Sequence, residues 1–222
     1  MTNKKEIIAG IIIIGNEILS GRTQDINTKT ISLWLNTIGI KVNEVTIIPD
    51  VEKTIIDTIN EFKKRFNYVF TSGGIGPTHD DITAKSISKV FKVKYEYHPE
   101  AFEILRKYYG ESNFNDGRKK MSKMPKGSCL IYNPSSAAPG FKIKNVFCLP
   151  GVPLILKSMI HNCSKYLNKG SKVFSDSINL ITVESNISKE LTKVQKKFKK
   201  DIDIGSYPFF RLGRVGVSIV LR

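Results

Sequence analysis

The chain of 222 residues has few of the features that would place it in a specialised class of protein. Its longest apolar run, residues 11–14, is far too short to cross a bilayer, and the opening "MTNKKE" does not lead into a signal peptide. Its three cysteines, Cys129, Cys148 and Cys163, show neither a CxxC pair nor metal-ligand spacing with the histidines. We therefore expect a cytoplasmic protein with buried free thiols and no membrane contact.

Acidic residues are scarce in the second half of the chain. Residues 1–115 hold 15 Lys and Arg against 14 Asp and Glu, whereas residues 116–222 hold 20 against 6. This asymmetry is compatible with a nucleic-acid partner. Single-strand binding, however, favours aromatic residues interleaved with basic ones, and this chain lacks that pattern. The 30 Ile and 28 Lys against 5 Ala and 7 Arg are instead typical of an AT-rich genome. We expect that nucleic acid is not the main ligand.

Apolar periodicity alternates between strands and helices in the first ninety residues. The predicted strands are residues 7–14, 40–48 and 68–71. The predicted helices are residues 27–38, a segment after Asp50 that this residue caps, and residues 78–91. This order predicts an α/β fold, a three-layer α/β/α sandwich with a mostly parallel sheet, over residues 1–170.

The rest of the chain is less regular. It contains predicted helices at residues 99–109 and 154–167 and predicted strands at 129–132 and 146–149. Residues 171–222 then read strand, helix, strand, strand, which predicts a small C-terminal α+β subdomain. It ends abruptly at "VSIVLR", so a further strand or helix can follow it.

The segment "TSGGIGPTHDDIT", residues 71–83, directly follows the third predicted strand. A glycine-rich turn in this position is typical of sites where main-chain amides approach a phosphate. Asp80 and Asp81 would repel that phosphate unless a divalent cation lay between them, and Mg²⁺ is held by one or two carboxylates together with substrate phosphates and water. The segment is not a P-loop, because no Gly-Lys-Ser/Thr follows it, and it lacks the third glycine of a dinucleotide fingerprint. It predicts a metal-linked phosphate site.

A structural role competes with this interpretation for Asp81. Thr78 is predicted to cap the third helix, and Asp81 stands three residues later, as in a capping box. Asp80 has no such role and is predicted to point into the space that the glycine turn opens. His79 could assist proton transfer, although a histidine in the first turn of a helix is more often a surface residue.

A second polar loop, "GNEILSGRTQDINT", follows the first strand. Loops after the first and third strands of a doubly wound sheet open at the same edge, so Glu17 and Asp25 are predicted to lie near Asp80. Two alternatives remain open. Asp25 or Asn27 can instead cap the next helix, and Glu17 can be a solvated loop residue.

Four motifs together resemble one protein family. "GNEILSG" with Asp25 and Asn27, "TSGGIGPTHDDIT", "NPSSAAPGF" and "LPGVP" have the order and context of the molybdopterin-binding (MoaB/Mog-like) domain family. Within it the chain is most similar to the competence/damage-inducible protein A branch and to the N-terminal domain of eukaryotic FAD synthases. The match includes neither the amidase domain of the former nor the adenylyltransferase half of the latter, so neither deamidation nor FAD synthesis is assigned.

The resemblance implies homo-oligomers, dimers or trimers, with a pocket for a phosphorylated small molecule, either a nucleotide or a pterin. It implies Asp80 and Asp81 as catalytic acids, with Glu17 as a further ligand of a divalent metal such as Mg²⁺. Together with the two loops, it gives the following substrate-binding candidates: Gly15, Asn16, Glu17, Asp25, Asn27, Ser72, Gly73, Gly74, Gly76, Thr78, Ser136, Pro139, Gly140, Pro150 and Gly151.

Three functions fit these residues. The favoured one is a metal-dependent pyrophosphatase that cleaves ADP-ribose or an FAD-like dinucleotide. The second is molybdopterin binding with adenylyl transfer in molybdenum cofactor biosynthesis. The C-terminal segment disfavours it, because its "IGSYPFF" resembles FAD synthases. The third is a non-catalytic binding module in which Asp80 and Asp81 cap a helix and the basic second half holds an acidic partner.

Overall fold

The structure, a computed structural model, describes residues 6–170, 174–199, 202–211 and 213–222. The chain forms two compact units, residues 1–171 and 172–222, and each has its own sheet. The sequence predicts a boundary between residues 170 and 171.

The first unit contains eight strands and seven α-helices among the described residues. The strands are β1 (Ile8–Ile14), β2 (Lys41–Ile48), β3 (Tyr68–Ser72), β4 (Tyr95–Tyr97), β5 (Lys123–Pro125), β6 (Cys129–Ile131), β7 (Gly140–Ile143) and β8 (Val146–Leu149). The helices are α1 (Asn16–Leu19), α2 (Asn27–Thr37), α3 (Glu52–Arg65), α4 (Thr83–Val90), α5 (Pro99–Tyr109), α6 (Asp116–Lys120) and α7 (Pro153–Met159). Short 3-10 helices cover Glu111–Asn113 and Ile160–Tyr166.

The main sheet has six strands in the order β2-β1-β3-β8-β7-β6. The pairs β1–β2, β1–β3 and β3–β8 are parallel, whereas β7 runs antiparallel to both β8 and β6. The prediction of a mostly parallel sheet is therefore confirmed. The small sheet of β4 and β5 stands apart from it.

Strand β1 shows why the unit has three layers. Its side chains alternate between two separate apolar clusters, with Ile12 and Ile14 in one and Ala9, Ile11 and Ile13 in the other. The first cluster includes buried residues of α3 and α4, and the second includes those of α2 and α7. Because both faces of a central parallel strand are covered by helices, its apolar run is continuous. The predicted α/β/α sandwich is confirmed.

Three predicted elements differ from the structure. The third long helix begins at Thr83 rather than at residue 78. The helix predicted for residues 154–167 is α-helical from Pro153 to Met159 and continues as a 3-10 helix. The segment "GESNFNDGRKK" after α5 has the composition of a polar loop but contains α6, whose start is capped by the Asn115 side chain.

The second unit is a three-stranded antiparallel sheet with one helix. Its elements are β9 (Asp176–Leu180), α8 (Glu184–Phe198), β10 (Ile204–Arg211) and β11 (Arg214–Leu221), and the strand order is β10-β11-β9. Val217 and Ile219 on the central strand are buried. This is the predicted small α+β subdomain.

The cysteines follow the prediction only in part. Cys148 and Cys163 are buried free thiols, and burial raises the pKa of each to about 12. Cys129 is a free thiol too, but it is exposed, because it begins β6 at the edge of the sheet. Within the described ranges, no helix is both long and apolar enough to span a bilayer.

Candidate functional site

The carboxyl ends of the parallel strands bring the predicted loops together. Strands β1, β3 and β8 are neighbours that run in the same direction, so the loops that follow them leave the same edge of the sheet. Hydrogen bonds join these loops directly, since the Asn27 side-chain amide donates to the Ser72 hydroxyl at 3.0 Å and to the Gly151 carbonyl at 2.6 Å. Ligands of open α/β sheets bind at this edge.

A cleft of about 500 Å³ opens at this edge. That volume lies within the range of small-molecule sites, roughly 300–1,000 Å³. Ten of the predicted site residues line it: Glu17, Gly73, Gly74, Gly76, Asp80, Asp81, Ser136, Pro139, Pro150 and Gly151. Seven others do not: Gly15, Asn16, Asp25, Asn27, Ser72, Thr78 and Gly140.

The glycine turn after β3 is packed too closely to carry side chains. Gly73 and Gly74 have φ angles of +111° and +69°, in the region that favours glycine. A Cβ atom would lie 2.1 Å from the Ile14 carbonyl oxygen at Gly73, and 2.1 Å from Thr83 Oγ1 at Gly74. The requirement for both glycines is therefore steric.

The same turn presents main-chain donors. Gly73 N–H donates to the Leu149 carbonyl, which completes the ladder with β8. In the part of the chain that the structure describes, the N–H groups of Gly74, Ile75 and Gly76 have no protein acceptor, and all three residues line the cleft. Free amides beside an open cleft are suited to an anion.

Asp81 closes a turn onto Thr78, although no helix starts there. Its Oδ2 accepts hydrogen bonds from the Thr78 amide at 2.8 Å and from the Thr78 hydroxyl at 2.5 Å. The Asp81 amide in turn donates to the Thr78 carbonyl at 3.3 Å. The bond from the acid back to the Thr78 amide is that of a capping box, but the predicted helix start at Thr78 is wrong. Lys120 of α6 donates to the Thr78 carbonyl, which a helix would have needed.

Asp80 is exposed at the tip of this turn, on the cleft. The Thr78 hydroxyl and the Asp80 amide hold the pKa of the Asp80 carboxyl below its ordinary value, and the charge of Lys120 contributes. Asp80 is therefore ionised at neutral pH, as a cation ligand must be.

Asp50 is a cleft acid that the sequence does not identify. The predicted capping of α3 by Asp50 is wrong, because the residue before that helix is Val51, which makes no side-chain cap. The Asp50 carboxylate instead accepts the Asn16 amide at 2.9 Å and lines the cleft together with Glu17, Asp80 and Asp81. This contact crosses 34 residues of sequence, so local sequence patterns cannot predict it.

Asp25 and Asn27 have structural contacts. The Asp25 carboxylate accepts the Asn27 and Thr28 amides at 2.9 and 3.2 Å, which caps the first turn of α2. Asn27 is buried, and its side chain holds the loops after β3 and β8, as described above. Of the two roles that the sequence left open for Asp25, the structure therefore shows the capping of α2.

The four cleft acids do not form a metal cage by themselves. Among the described residues, no group of three or more His, Cys, Asp and Glu side chains lies close enough to hold a metal ion. The donor set still fits a hard cation of the Mg²⁺ type, because such an ion is bound by one or two carboxylates plus phosphates and water. Asp80 has a free carboxylate for this role, whereas one oxygen of Asp81 is committed to Thr78.

Comparison with known proteins identifies the first unit. Residues 10–169 match the family model described as "Probable molybdopterin binding domain". The chain belongs to the molybdopterin-binding domain family. Residues 172–222 match a second model, described as "FAD synthase, middle domain". The first match confirms the resemblance predicted from the four motifs, and the second confirms the predicted similarity to FAD synthases.

Two proteins of other organisms match most of the chain. A protein of Archaeoglobus fulgidus is 33% identical over 198 residues, which cover 89% of this chain and 84% of that protein. A protein of Pyrococcus abyssi is 34% identical over 206 residues, covering 86% and 81%.

Solved structures of the family share the fold of the first unit. The CinA protein of Thermoplasma acidophilum, described as of unknown function, is 31% identical with a TM-score of 0.66 and covers 72% of this chain and 98% of its own. MoaB of Thermus thermophilus, described as a molybdopterin biosynthesis enzyme, is 17% identical with a TM-score of 0.50, covering 72% and 91%. At that identity the second likeness shows the fold alone.

Residues that the sequence does not identify form much of the cleft wall. Besides Asp50 they include Tyr109 at the end of α5, Met121 just after α6, and Asn133, whose side chain shapes the loop before β7. The remaining lining residues are Ile14, Thr23, Ile75, Pro77, Ala138, Val152, Pro153 and Ile155. Most of them stand inside the four motifs, so the sequence indicates their loops, whereas Ile14 and Ile155 resemble core residues.

Proposed function

We propose that the cleft binds a nucleotide through its diphosphate and hydrolyses that diphosphate with the help of a divalent cation. The substrate class is ADP-ribose or an FAD-like dinucleotide. The observation that carries the proposal is the exposed Asp80 carboxylate, which lines the same cleft as the three free amides of residues 74–76. A site that offers anion donors beside a free carboxylate is suited to a phosphate that brings its own cation.

The residues of the chain have distinct roles in this proposal. The amides of Gly74, Ile75 and Gly76 orient the diphosphate oxygens, and they are held in place by the packing of Gly73 and Gly74. Preorganised donors of this kind stabilise charge that develops on the diphosphate without having to reorganise.

Asp80 would hold the cation, together with substrate oxygens and Asp50, Glu17 or the free oxygen of Asp81. When bound, the cation supplies positive charge that offsets the negative charge of the diphosphate. Because Asp81 ties down Thr78, its main contribution is to position Asp80, its neighbour in the turn.

The test is an assay of diphosphate hydrolysis. The purified protein is incubated with ADP-ribose or FAD, with and without Mg²⁺, and AMP release is measured; molybdopterin is tested in parallel for binding. We expect release that requires Mg²⁺ and is lost in Asp80→Ala. A matched control is Asp57→Ala, since Asp57 is an exposed acid that pairs with Lys53 on α3. Metal-independent release, or equal loss in both variants, contradicts the proposal.

The family membership favours a second candidate, molybdopterin binding with adenylyl transfer. It would use the same cleft and the same acids with a pterin phosphate as the ligand. Tight molybdopterin binding without hydrolysis of ADP-ribose or FAD supports this candidate over the first.

The Asp81–Thr78 bonds favour a third candidate, a non-catalytic binding module. They show that one of the two adjacent acids has a structural role. Here Asp80→Ala would change only the melting temperature, and no ligand would respond to Mg²⁺.

We further propose that the protein is cytoplasmic and forms a dimer or a trimer. Strand β2 is an edge strand of the main sheet, and its Val45 and Ile47 side chains are exposed. Unpaired apolar edges are often covered by another chain. Light scattering coupled to size exclusion tests the oligomer, since a monomeric mass contradicts it.

A further inference from the structure

One aromatic side chain lies on the cleft. Tyr109, the last residue of α5, lines it and is partly exposed. The guanidinium of Arg118 lies over its ring, 4.1 Å from the centroid, and Arg118 itself does not line the cleft. Arg118 therefore covers one face of the ring, and the Tyr109 side chain also borders the cleft.

Contacts with neighbouring side chains hold the Tyr109 ring in position. The Arg118 side chain donates to the Asn113 carbonyl, and its amide donates to the Asn115 side chain at 3.0 Å. The Tyr108 ring is perpendicular to the Tyr109 ring, with centroids 5.0 Å apart and an interplanar angle of 86°. An aromatic ring held in this way loses little freedom when a ligand stacks on it.

Helix α6 connects this ring to the acidic turn. Arg118 and Lys120 belong to the same helix, and Lys120 donates to the Thr78 carbonyl. Gly117 packs against the turn as well, since a Cβ there would lie 3.5 Å from Pro77 Cβ. Helix α6 therefore contacts both the Tyr109 ring and the turn that carries Asp80, and it helps to position both.

We propose that Tyr109 is the surface on which the heteroaromatic ring of the ligand stacks, and that it selects nucleotides over phosphates without an aromatic base. The inference rests on the proposed function, since it assumes that the phosphate end of the ligand lies at the glycine turn. Met121, which lines the cleft near α6, adds an apolar and polarisable contact. Stacking tolerates any flat base, so Tyr109 would select for a ring rather than for one particular base.

Comparing the binding of AMP with that of ribose 5-phosphate measures how much stacking on Tyr109 contributes to affinity. These are the two halves that hydrolysis of ADP-ribose yields, and only AMP carries an aromatic base. Each is titrated calorimetrically, with Mg²⁺, into the wild-type chain, Tyr109→Ala, Tyr109→Phe and Tyr97→Ala. Tyr97 is the control, because it is an exposed tyrosine of the same unit that does not line the cleft.

We expect Tyr109→Ala to weaken AMP binding about 10-fold and to leave ribose 5-phosphate binding unchanged. Tyr109→Phe keeps the ring and should bind AMP within about 2-fold of wild type, as should Tyr97→Ala. Equal AMP affinity in wild type and Tyr109→Ala overturns the inference, as does a wild-type chain that binds AMP no better than ribose 5-phosphate. A parallel loss of both ligands in Tyr109→Ala also overturns it, because that pattern indicates a distorted cleft.

The stacking role of Tyr109 and the proposed hydrolysis can each fail without the other. If wild type does not hydrolyse ADP-ribose but the AMP pattern appears, the stacking role stands and the hydrolysis proposal fails. If hydrolysis occurs and Tyr109→Ala leaves the KM for ADP-ribose unchanged, the function stands and the stacking role fails.

Discussion

Replacing Gly74 by alanine tests the close packing that shapes the glycine turn. Its φ is +69°, and an added Cβ would lie 2.1 Å from Thr83 Oγ1, an atom that is buried in the first turn of α4. Gly21 is a matched control, because its φ is +72° but an added Cβ would meet nothing within 4 Å. The two substitutions share the backbone cost and differ only in the clash.

The backbone cost of a left-handed alanine is about 1 kcal/mol, so Gly21→Ala should lower the free energy of unfolding by that amount. Overpacking a filled site adds about 1–3 kcal/mol, which gives about 2–4 kcal/mol for Gly74→Ala. Thr83→Ala removes the clashing oxygen and should recover part of this cost in the double variant. The recovery is partial, because the Thr83 Cβ would still lie 3.1 Å away.

Urea unfolding followed by the fluorescence of Trp34 provides the assay. Trp34 is the single tryptophan of the chain and is buried in the first unit, so it reports on the unit that contains the turn. The reasoning is refuted if Gly74→Ala costs no more than Gly21→Ala. It is also refuted if Thr83→Ala does not reduce the cost of Gly74→Ala, since the two effects would then be independent.

Two further predictions follow from the site and the core. Asp81→Ala removes two hydrogen bonds to Thr78 and should lower the free energy of unfolding in urea by about 1–2 kcal/mol. Asp80→Ala should stay within about 0.5 kcal/mol of wild type. Equal costs for the two variants would contradict their separate roles. Ellman's reagent at pH 8 should modify only Cys129 in the folded protein and all three thiols after unfolding, because a pKa of about 12 keeps Cys148 and Cys163 protonated in the fold. Rapid native reaction of more than one thiol contradicts the burial.

The fold could be predicted from the sequence because its signals are local and repeated. The continuous apolar run of β1 indicates a strand covered on both faces, and residues 99–109 and 146–149 coincide with α5 and β8. The glycine turn could be predicted for the same reason, since its glycines directly follow a strand.

The parts of the site that could not be predicted depend on contacts between distant residues. Asp50 precedes a helix and so resembles a cap, but the Asn16 amide from another loop binds its carboxylate. Thr78 and Asp81 have the spacing of a capping box, but Lys120, 42 residues away, takes the carbonyl of Thr78. Nothing in the local sequence distinguishes Tyr109 from other tyrosines at helix ends, because its contact with Arg118 of α6 forms only in the folded chain.

The central claim is that a cation held by Asp80 links the chain to the diphosphate of a nucleotide. The most direct measurement is a crystal structure of the protein with Mn²⁺ and a non-hydrolysable ADP-ribose analogue, with anomalous data to locate the metal. The account predicts an anomalous peak between the Asp80 carboxylate and the diphosphate, with phosphate oxygens on the amides of residues 74–76. A diphosphate bound elsewhere, or a cleft whose acids contact no metal, would contradict it.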